Sequence, residues 1–472
     1  MKRKKKLIPL SILATGLLLS SVTVPVATTS AKPVITSNNS LITNSDKQVI
    51  NKINVNRIYQ HIEYLSAVPR IAGTDAEYQA VQYIKKQLES YGYKTEIQEF
   101  TYTGYRDPST VQLSVEGYSS ELKPRSFSYT IDGNVTGELM YAGLGTKAEL
   151  ENIDLTGKIA LIQRGSINFQ EKVLNAAEKG ALAVIIYNNA EGDLNGTLGS
   201  AHDNYVPAVS ISKAEGEALV AALGGGQALT ANVLVEGSFT GEQTSHNVIA
   251  KKAPTNKKKD TGNIIAIGAH HDSVALAPGA NDNASGTAVV LELARVFKNL
   301  PTDTELHFLT YGAEELGLIG SEYYVNSLPQ ETLNRIIGNF NLDMVGSRDA
   351  GDLVLNTVDG KANFVTDLAQ ASSLRLNGSA TPYQEGGRSD HVSFFEAGIP
   401  SASFIHSPTE PWYHTPEDTI DKISKEKLLD VAEIVGSAVY DYAQFDQKGP
   451  KPKPKKGKKQ KFPELHHKKH LK

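Results

Sequence analysis

One stretch, Ile264 to Ser273, constrains this chain more than any other. Ile-Ile-Ala-Ile-Gly is apolar and β-branched, as a buried strand is, and it gives way at once to Ala269-His270-His271-Asp272-Ser273. A strand that stops on two imidazoles and a carboxylate delivers metal-binding groups to the rim of a sheet. In open α/β sheets the carboxyl ends of the strands are where ligands bind. The expectation is therefore an α/β fold organised around that rim.

The rest of the chain has to supply the sheet and the other ligands. With 472 residues, 40% of them apolar and 21% charged, it has material for two or three globular domains. It has no cysteine, so a thiolate site, a disulfide framework and a cysteine nucleophile are all excluded. Any metal must be held by nitrogen and oxygen.

Both ends differ from the middle. Lys2 to Lys6, the apolar run Leu7 to Leu19 and the small residues up to Ala31 have the order of a secretory signal, so residues 1–31 are expected to be cleaved and the protein secreted. A retained membrane anchor fits less well, because the apolar run is short for a bilayer and contains Pro9. No later segment reads as transmembrane. Residues 32–53, rich in Ser, Thr and Asn, read as a leader or linker. Residues 448–472 hold eleven Lys and one Glu, a charge of +10 (11 − 1), which leaves −14 (−4 − 10) for the remainder. Residues 446–472 are accordingly expected to be a disordered basic tail. That tail either solubilises the protein or draws it to a polyanion, and on an exported protein the anionic cell-wall polymer comes before nucleic acid. Nothing in the body suggests nucleic-acid recognition.

Between the ends, residues 54–132 open in α/β style. Asn54 can cap a helix with Val55, Ile58, Ile62 and Leu65 on one face, Pro69 to Gly73 makes a turn, and Thr74 and Glu77 have the spacing of a capping box before a second amphipathic helix. Lys94 to Tyr102 reads as a strand. Residues 133–237 change character: Gly157 to Gly165 is a strand ending in a turn, Phe169 to Lys179 a helix, and Ala181 to Tyr187 another strand, with no cluster of histidines and carboxylates. The Gly-Lys-Ile-Ala-Leu-Ile-Gln-Arg-Gly strand, the helix with Lys172 and Ala176, and Gly180-Ala181 make this block resemble the protease-associated domain. Such domains are commonly inserted in hydrolases, and here it would be a lid or a substrate-side wall. Residues 238–445 resume the alternation of strands and helices and end in a helix capped by Ser424. The fold class expected is α/β, one three-layer α/β/α domain split by the protease-associated insert.

Within that second part, polar groups gather where apolar runs end: His270 and Asp272, then Asp282, then Glu314-Glu315, then Asp343, and finally Tyr413-His414. Singly, each has an ordinary explanation, since a lone His after a strand is more often a hydrogen-bonded residue than a ligand. Together, two imidazoles and several carboxylates without a thiol suit a pair of divalent ions, zinc first and manganese or cobalt as replacements. The order Ala-His-x-Asp-Ser, Gly-Ala-Asn-Asp-Asn-Ala-Ser-Gly, Glu-Glu-x-Gly-x-x-Gly-Ser, Asn-Leu-Asp-Met-Val-Gly and Tyr-His-Thr-Pro-x-Asp resembles the double-zinc aminopeptidase family.

That resemblance implies two Zn2+ ions per subunit, peptide substrates with a free N-terminus, and a role for each matching residue. His270 and Asp343 would bind one ion, Glu315 and His414 the other, and Asp282 would bridge them. Asp272 would hold the His270 ring, Glu314 would be the general base, and Tyr413 could donate to the oxyanion. Arg388, in Gly-Gly-Arg-Ser-Asp-His, would lie near the substrate carbonyl, or else form a buried ion pair with Asp390. His271 is left out of the site, and Trp412 lines a side-chain pocket or simply packs. A carboxypeptidase, a dipeptidase or a glutaminyl-cyclase-like enzyme would use the same fold. A non-enzymatic wall-binding protein would need neither the full ligand set nor Glu314.

Overall fold

The computed structural model describes residues 41–445. The expected signal at 1–31, the first part of the leader and the basic tail at 446–472 lie outside the described residues. The chain opens with helices α1 (Asn44–Ile50), α2 (Val55–Leu65) and α3 (Asp75–Ser90) and the long strand β1 (Thr95–Arg106). A second unit follows: β2 (Thr110–Glu116), β3 (Arg125–Ser126), β4 (Gly133–Tyr141), β5 (Lys158–Gln163), α4 (Phe169–Glu178), β6 (Ala183–Tyr187), β7 (Ala208–Ile211), α5 (Lys213–Gly224) and β8 (Thr230–Glu236). The chain returns through β9 (Phe239–Lys252) to β10 (Ile264–His270), α6 (Gly286–Lys298), β11 (Glu305–Tyr311), α7 (Ile319–Ser327), α8 (Gln330–Arg335) and β12 (Ile336–Leu342). It finishes with β13 (Asp352–Thr357), α9 (Phe364–Asn377), β14 (Tyr383–Glu385), α10 (His391–Glu396), β15 (Ser401–Ser407) and α11 (Lys425–Ala443).

Among the described residues these strands form two sheets. The larger has the order β1-β9-β11-β10-β12-β15-β13-β14, with β11, β10, β12 and β15 parallel to one another. β10 is buried at every position, as a strand covered on both faces must be. Side chains alternate across it: Ile265, Ile267 and Ala269 join the core under α2, α3, α6 and α11, while Ile264 and Ala266 pack with Tyr324, Val325 and Phe394 on the other face. This is the three-layer α/β/α arrangement. From β10 the chain crosses through α6 to β11, and then returns through α7 and α8 to β12 on the opposite side of β10. At such a reversal the connecting segments diverge and leave a crevice beyond the carboxyl ends of the strands.

The second sheet, β2-β8-β4-β5-β6-β7-β3, has a core on each face. Ile159 and Leu161 pack toward Leu219 of α5, whereas Ala160 and Ile162 pack toward Val173 and Ala176 of α4. This insert begins earlier than the expected residue 133, because β2 starts at Thr110 and pairs with β8. Its pattern, with Leu113 and Val115 buried and their neighbours exposed, is that of a half-covered edge strand, and nothing in it says which sheet it joins. The insert is carried on a ribbon: β1 and β9 pair antiparallel from Thr95↔Ala250 to Arg106↔Phe239, and the residues between are the inserted unit.

The leader or linker expected at 32–53 is also corrected from Asn44 onward, where the chain is helix α1. Its polar residues are capping chemistry, since Thr43 Oγ1 accepts from Asp46 N at 3.1 Å and the Asp46 carboxylate accepts from Thr43 N at 2.9 Å. Asp46 also receives Nε and Nη2 of Arg375 on α9, both at 2.9 Å, and Val49 enters the main core. At α3 only half of the expected capping box forms. Thr74 caps Glu77 N, but the Glu77 carboxylate turns inward to Ser245, Gly73 N and His271.

Candidate metal centre

Most of the expected site residues sit where a strand gives out. His270 is the last residue of β10, Asp343 follows β12, Glu314 and Glu315 follow β11, and His414 lies in the loop after β15. Asp282 is in the turn ahead of α6. Three non-glycine residues with left-handed backbone fall beside or on these positions: Ala313 (φ 56°), Met344 (φ 56°) and His414 (φ 59°). Such conformations cost roughly 1–3 kcal/mol each and persist where the surroundings over-determine them.

The donor atoms form two groups with a shared member. His270 Nε2 lies 3.3 Å from Asp282 Oδ1 and 3.4 Å from Asp343 Oδ1. His414 Nε2 lies 3.2 Å from Asp282 Oδ2 and 3.1 Å from Glu315 Oε2. Two donors at about 2.1 Å from one tetrahedral zinc ion stand about 3.4 Å apart, so both groups have the spacing of a coordination shell. Ordinary ion pairing accounts for less, because one N–H on His270 Nε2 cannot serve two carboxylates at nearly equal distances. Asp343 Oδ1 and Glu315 Oε1 are buried without a hydrogen-bond partner. Glu314 Oε2, at 3.8 Å from His270 Nε2, is outside that spacing and beside it.

The electrostatics ask for positive charge at the same place. Burial raises the Glu314 carboxyl well above its ordinary range, with Asp390, Glu315 and Asp343 adding to the effect against His270. Burial likewise pushes Glu315 up to about 7, reinforced by Asp282 and opposed by His414. Burial would lower both imidazoles, but the carboxylates around them win: Glu314 and Asp343 lead in holding His270 well above its usual value, and Asp282 and Glu315 take His414 to about 10. Nitrogen and oxygen donors crowded in this way fit divalent zinc.

A layer of polar residues fixes the donors. Asp272 Oδ1 faces His270 Nδ1 at 3.3 Å, and its two oxygens accept Glu314 N at 3.2 Å and Glu315 N at 3.3 Å, so one carboxylate ties β10 to the loop after β11. Asp418, four residues beyond His414, accepts Asn281 N at 2.8 Å and Asp282 N at 3.0 Å. Asn281 Oδ1 accepts Gly346 N and Ser347 N, its Nδ2 donates to Glu410 at 2.7 Å, and Asn283 Oδ1 accepts Met344 N. The residues on either side of Asp282 are thus stapled to the loops that carry Asp343 and His414. Arg70, 1% exposed, donates to the carbonyls of His271, Leu65, Pro278 and Gly279 at 2.6–2.9 Å. Sequence reasoning assigned no role to Asp418, Glu410, Asn281 or Arg70. Asp418 stood in the Tyr-His-Thr-Pro-x-Asp motif, and Arg70 carried no signal beyond its turn.

The remaining candidates divide. Tyr413 is partly exposed and stacks on the His414 ring at 3.8 Å between centroids, within reach of the cluster's field. Arg388 is exposed and outside both donor groups, and no ion pair joins it to Asp390 among the described residues. Asp390 is fully buried on its own, pushed up to about 7 by burial, so the buried-pair alternative is corrected. Trp412 Nε1 donates to Asp349 and its ring lies under Lys422 Nζ, which is a packing role. His271 turns away from the donor groups, between Thr310 and Glu77.

Residues 247–439 match peptidase family M28, and residues 135–219 match the PA domain. The chain is 41% identical to aminopeptidase YwaD of Bacillus subtilis, over 86% of this chain and 88% of that one. It is 31% identical to probable leucine aminopeptidase 2 of Aspergillus fumigatus, with 79% of each covered. Among solved structures it is similar to the aminopeptidase from Aneurinibacillus sp. strain AM-1, at a TM-score of 0.76 and 55% identity over 86% of this chain and 98% of that one. A zinc aminopeptidase from Bacillus subtilis superposes at a TM-score of 0.70, with 39% identity, covering 84% and 97%.

Proposed function

The chain belongs to peptidase family M28, and from that premise we propose that it is an exported aminopeptidase that removes N-terminal residues from peptides with two zinc ions. The observation that carries the reading is Asp282, whose two oxygens belong to two separate donor groups, each completed at ligand spacing, with Glu314 adjacent. His270, Asp343 and Asp282 would hold one ion, and His414, Glu315 and Asp282 the other. Bound there, the ions would supply Lewis acidity, lowering the pKa of a water toward about 7 and polarising the scissile carbonyl.

The chain's own groups do the rest. Glu314 takes the proton of the attacking water on its carboxylate and returns it to the leaving amine. Its buried position and carboxylate neighbours favour the protonated form, which makes it a stronger base than an exposed Glu. Asp272 holds the His270 ring by Nδ1 and, through the amides of Glu314 and Glu315, sets the base against the ligand. The Tyr413 hydroxyl, carried next to His414, donates to the oxyanion as it develops. The substrate's free α-amine, in its neutral form, would be bound where the second ion is held, which favours peptides with an unblocked N-terminus. Arg388, exposed on its loop, is the residue whose motif resembles a segment near the substrate carbonyl, and a substrate contact there is its proposed role.

The test is Glu314→Gln. Turnover should fall by about 10² to 10⁴-fold with zinc content unchanged, and wild-type turnover would remove Glu314 from the role of base. Chromogenic aminoacyl substrates should be cleaved and their N-blocked counterparts left intact, with activity lost to a chelator. Cleavage of N-blocked substrates would favour a different exopeptidase. Export is supported by the composition of residues 1–31, and a mature chain in the medium starting near Lys32 is the expected product.

A further inference from the structure

We propose that the corner of the catalytic domain opposite the metal centre is a docking face for a flexible phosphodiester polyanion of the cell surface, which holds the protein with its catalytic crevice turned outward. The proposal starts from the loop between β9 and β10. Lys257, Lys258 and Lys259 form one exposed helical turn capped by Asn256, whose Oδ1 accepts Lys258 N at 3.0 Å. No ion pair joins any of the three to an acid among the described residues. The loop leads into the amino end of β10, whereas His270 is at the carboxyl end, so the strand puts about 20 Å between lysines and ligands.

The same corner carries further basic residues, of which Lys251 is exposed and Arg335 is paired with Glu305. Arg335 Nε donates to Gly262 O at 2.9 Å beside the loop, and Lys251 is exposed one residue before the buried Lys252. Lys252 feels both burial and the Lys298 charge, which push it down to about 8. Glu305 is paired with Arg335 and His307, and Asp260, which follows the turn and caps Gly262 N, leaves the turn a net charge of +2 (3 − 1). The last described residues are pinned to the same place. Thr255 N donates to Thr302 O at 2.8 Å, Asp303 N donates to Ala443 O at 2.9 Å, and Thr302 bridges to Gln444. The described structure therefore ends at Phe445, near the lysine turn.

The chemistry of the loop selects the partner. Lys251 to Asp260 contains no aromatic side chain and no apolar one larger than Pro254, so it offers no platform for stacking bases and nothing to insert into a bilayer. Compact ammonium charges on long stems suit phosphates spaced along a flexible chain. The idea rests on the export reading for where the polymer would be met, while the affinity depends only on the charges.

The experiment uses the full chain and immobilised poly(glycerol phosphate). Lys257→Gln/Lys258→Gln/Lys259→Gln should bind about tenfold more weakly at low salt and show a shallower dependence on salt, and replacing the three with Arg should keep binding. Thermal melting checks that each variant folds. Turnover on a small aminoacyl substrate, free and polymer-bound, should be the same for all three proteins. Equal polymer binding by the Gln variant would overturn the proposal, and so would a larger loss on duplex DNA or anionic vesicles than on the polymer. Loss of turnover in the parent protein would instead count against the peptidase reading, so the two failures are distinguishable.

Discussion

Asp418→Asn tests whether the bridging carboxylate is positioned from the loop that carries His414. The wild-type carboxylate gives one oxygen to Asn281 N at 2.8 Å and the other to Asp282 N at 3.0 Å, and it is 1% exposed. In the Asn variant one oxygen becomes an NH2 facing an N–H, so one charge-assisted hydrogen bond becomes a donor-donor clash. A hydrogen bond to a charged group is worth about 1.5–3 kcal/mol, and an orphaned buried amide costs about 1–3 kcal/mol. Asp282 belongs to both donor groups, so the loss should appear as metal affinity weakened by roughly 10 to 100-fold, the range for residues that orient ligands. The assay is zinc competition against a chelator of known affinity, alongside melting of the chelated protein. The expected result is weaker zinc binding with the chelated protein's melting temperature lowered far less than that of the zinc-bound form. Wild-type zinc affinity, or an equal loss of stability with and without zinc, would refute the reasoning and make Asp418 a purely structural residue.

Other outcomes follow from particular groups. His61, 4% exposed between the hydroxyls of Tyr83 and Tyr91, is pushed down to about 4 chiefly by burial. Its folded form binds fewer protons than the unfolded chain, so its contribution is present above pH 6.5 and lost as pH falls toward 4, by up to about 3 kcal/mol. Urea unfolding of the chelated protein at pH 7 and pH 4.5 should show this, and His61→Phe should reduce the difference; an unchanged difference would rule it out. Excising the insert and closing the ribbon with a two-residue turn between Arg106 and Phe239 should preserve zinc binding and hydrolysis of single-residue chromogenic substrates while changing relative rates on longer peptides. A folded, zinc-binding but inactive product would mean that the insert supplies part of the site. Arg375→Met leaves Asp46 buried without its cation and should destabilise the protein by about 3 kcal/mol, read by urea unfolding, with zinc affinity unchanged.

Most of the donor positions were legible because a polar residue follows an apolar run there, and strand ends meet at one rim whatever the details of packing. His270, Glu314, Glu315 and Asp343 stand at such ends, whereas Asp282 and His414 entered through the order of motifs that resembles the double-zinc aminopeptidase family. Their supports could not be found from strand ends. Asp418 acts on two backbone amides, which have no sequence, and Arg70 acts on carbonyls, three of them more than 200 positions downstream. The boundary expected at residue 133 falls after β2, which joins the insert's sheet, because alternation such as that of Thr110–Glu116 reports a half-covered face without naming the partner strand. Helix α1 was read as a linker because Thr43 and Asp46 look like solvated residues until Arg375 is placed against them. Arg388 shows the opposite case: a motif position suggests a buried pair, and the structure leaves the Arg outside and the Asp alone.

The ribbon that carries the insert also sets an order of events during synthesis. β1 has a single neighbour in its sheet, β9, and β9 is not made until the whole insert has been. The insert, with its own sheet and a core on each face, can close while β1 still waits for a partner. Domains generally fold as units, and the inserted unit has all of its strands before β9 gives β1 a partner. The waiting half is tied to the later half by long-range contacts, such as the Asn54 amide that reaches Glu292, 238 positions on. Such contacts close slowly. Each donor group also includes a residue made late, Asp343 in one and His414 in the other, so a nascent chain holds neither complete. Both donor groups are thus among the last features of the fold that the growing chain can assemble.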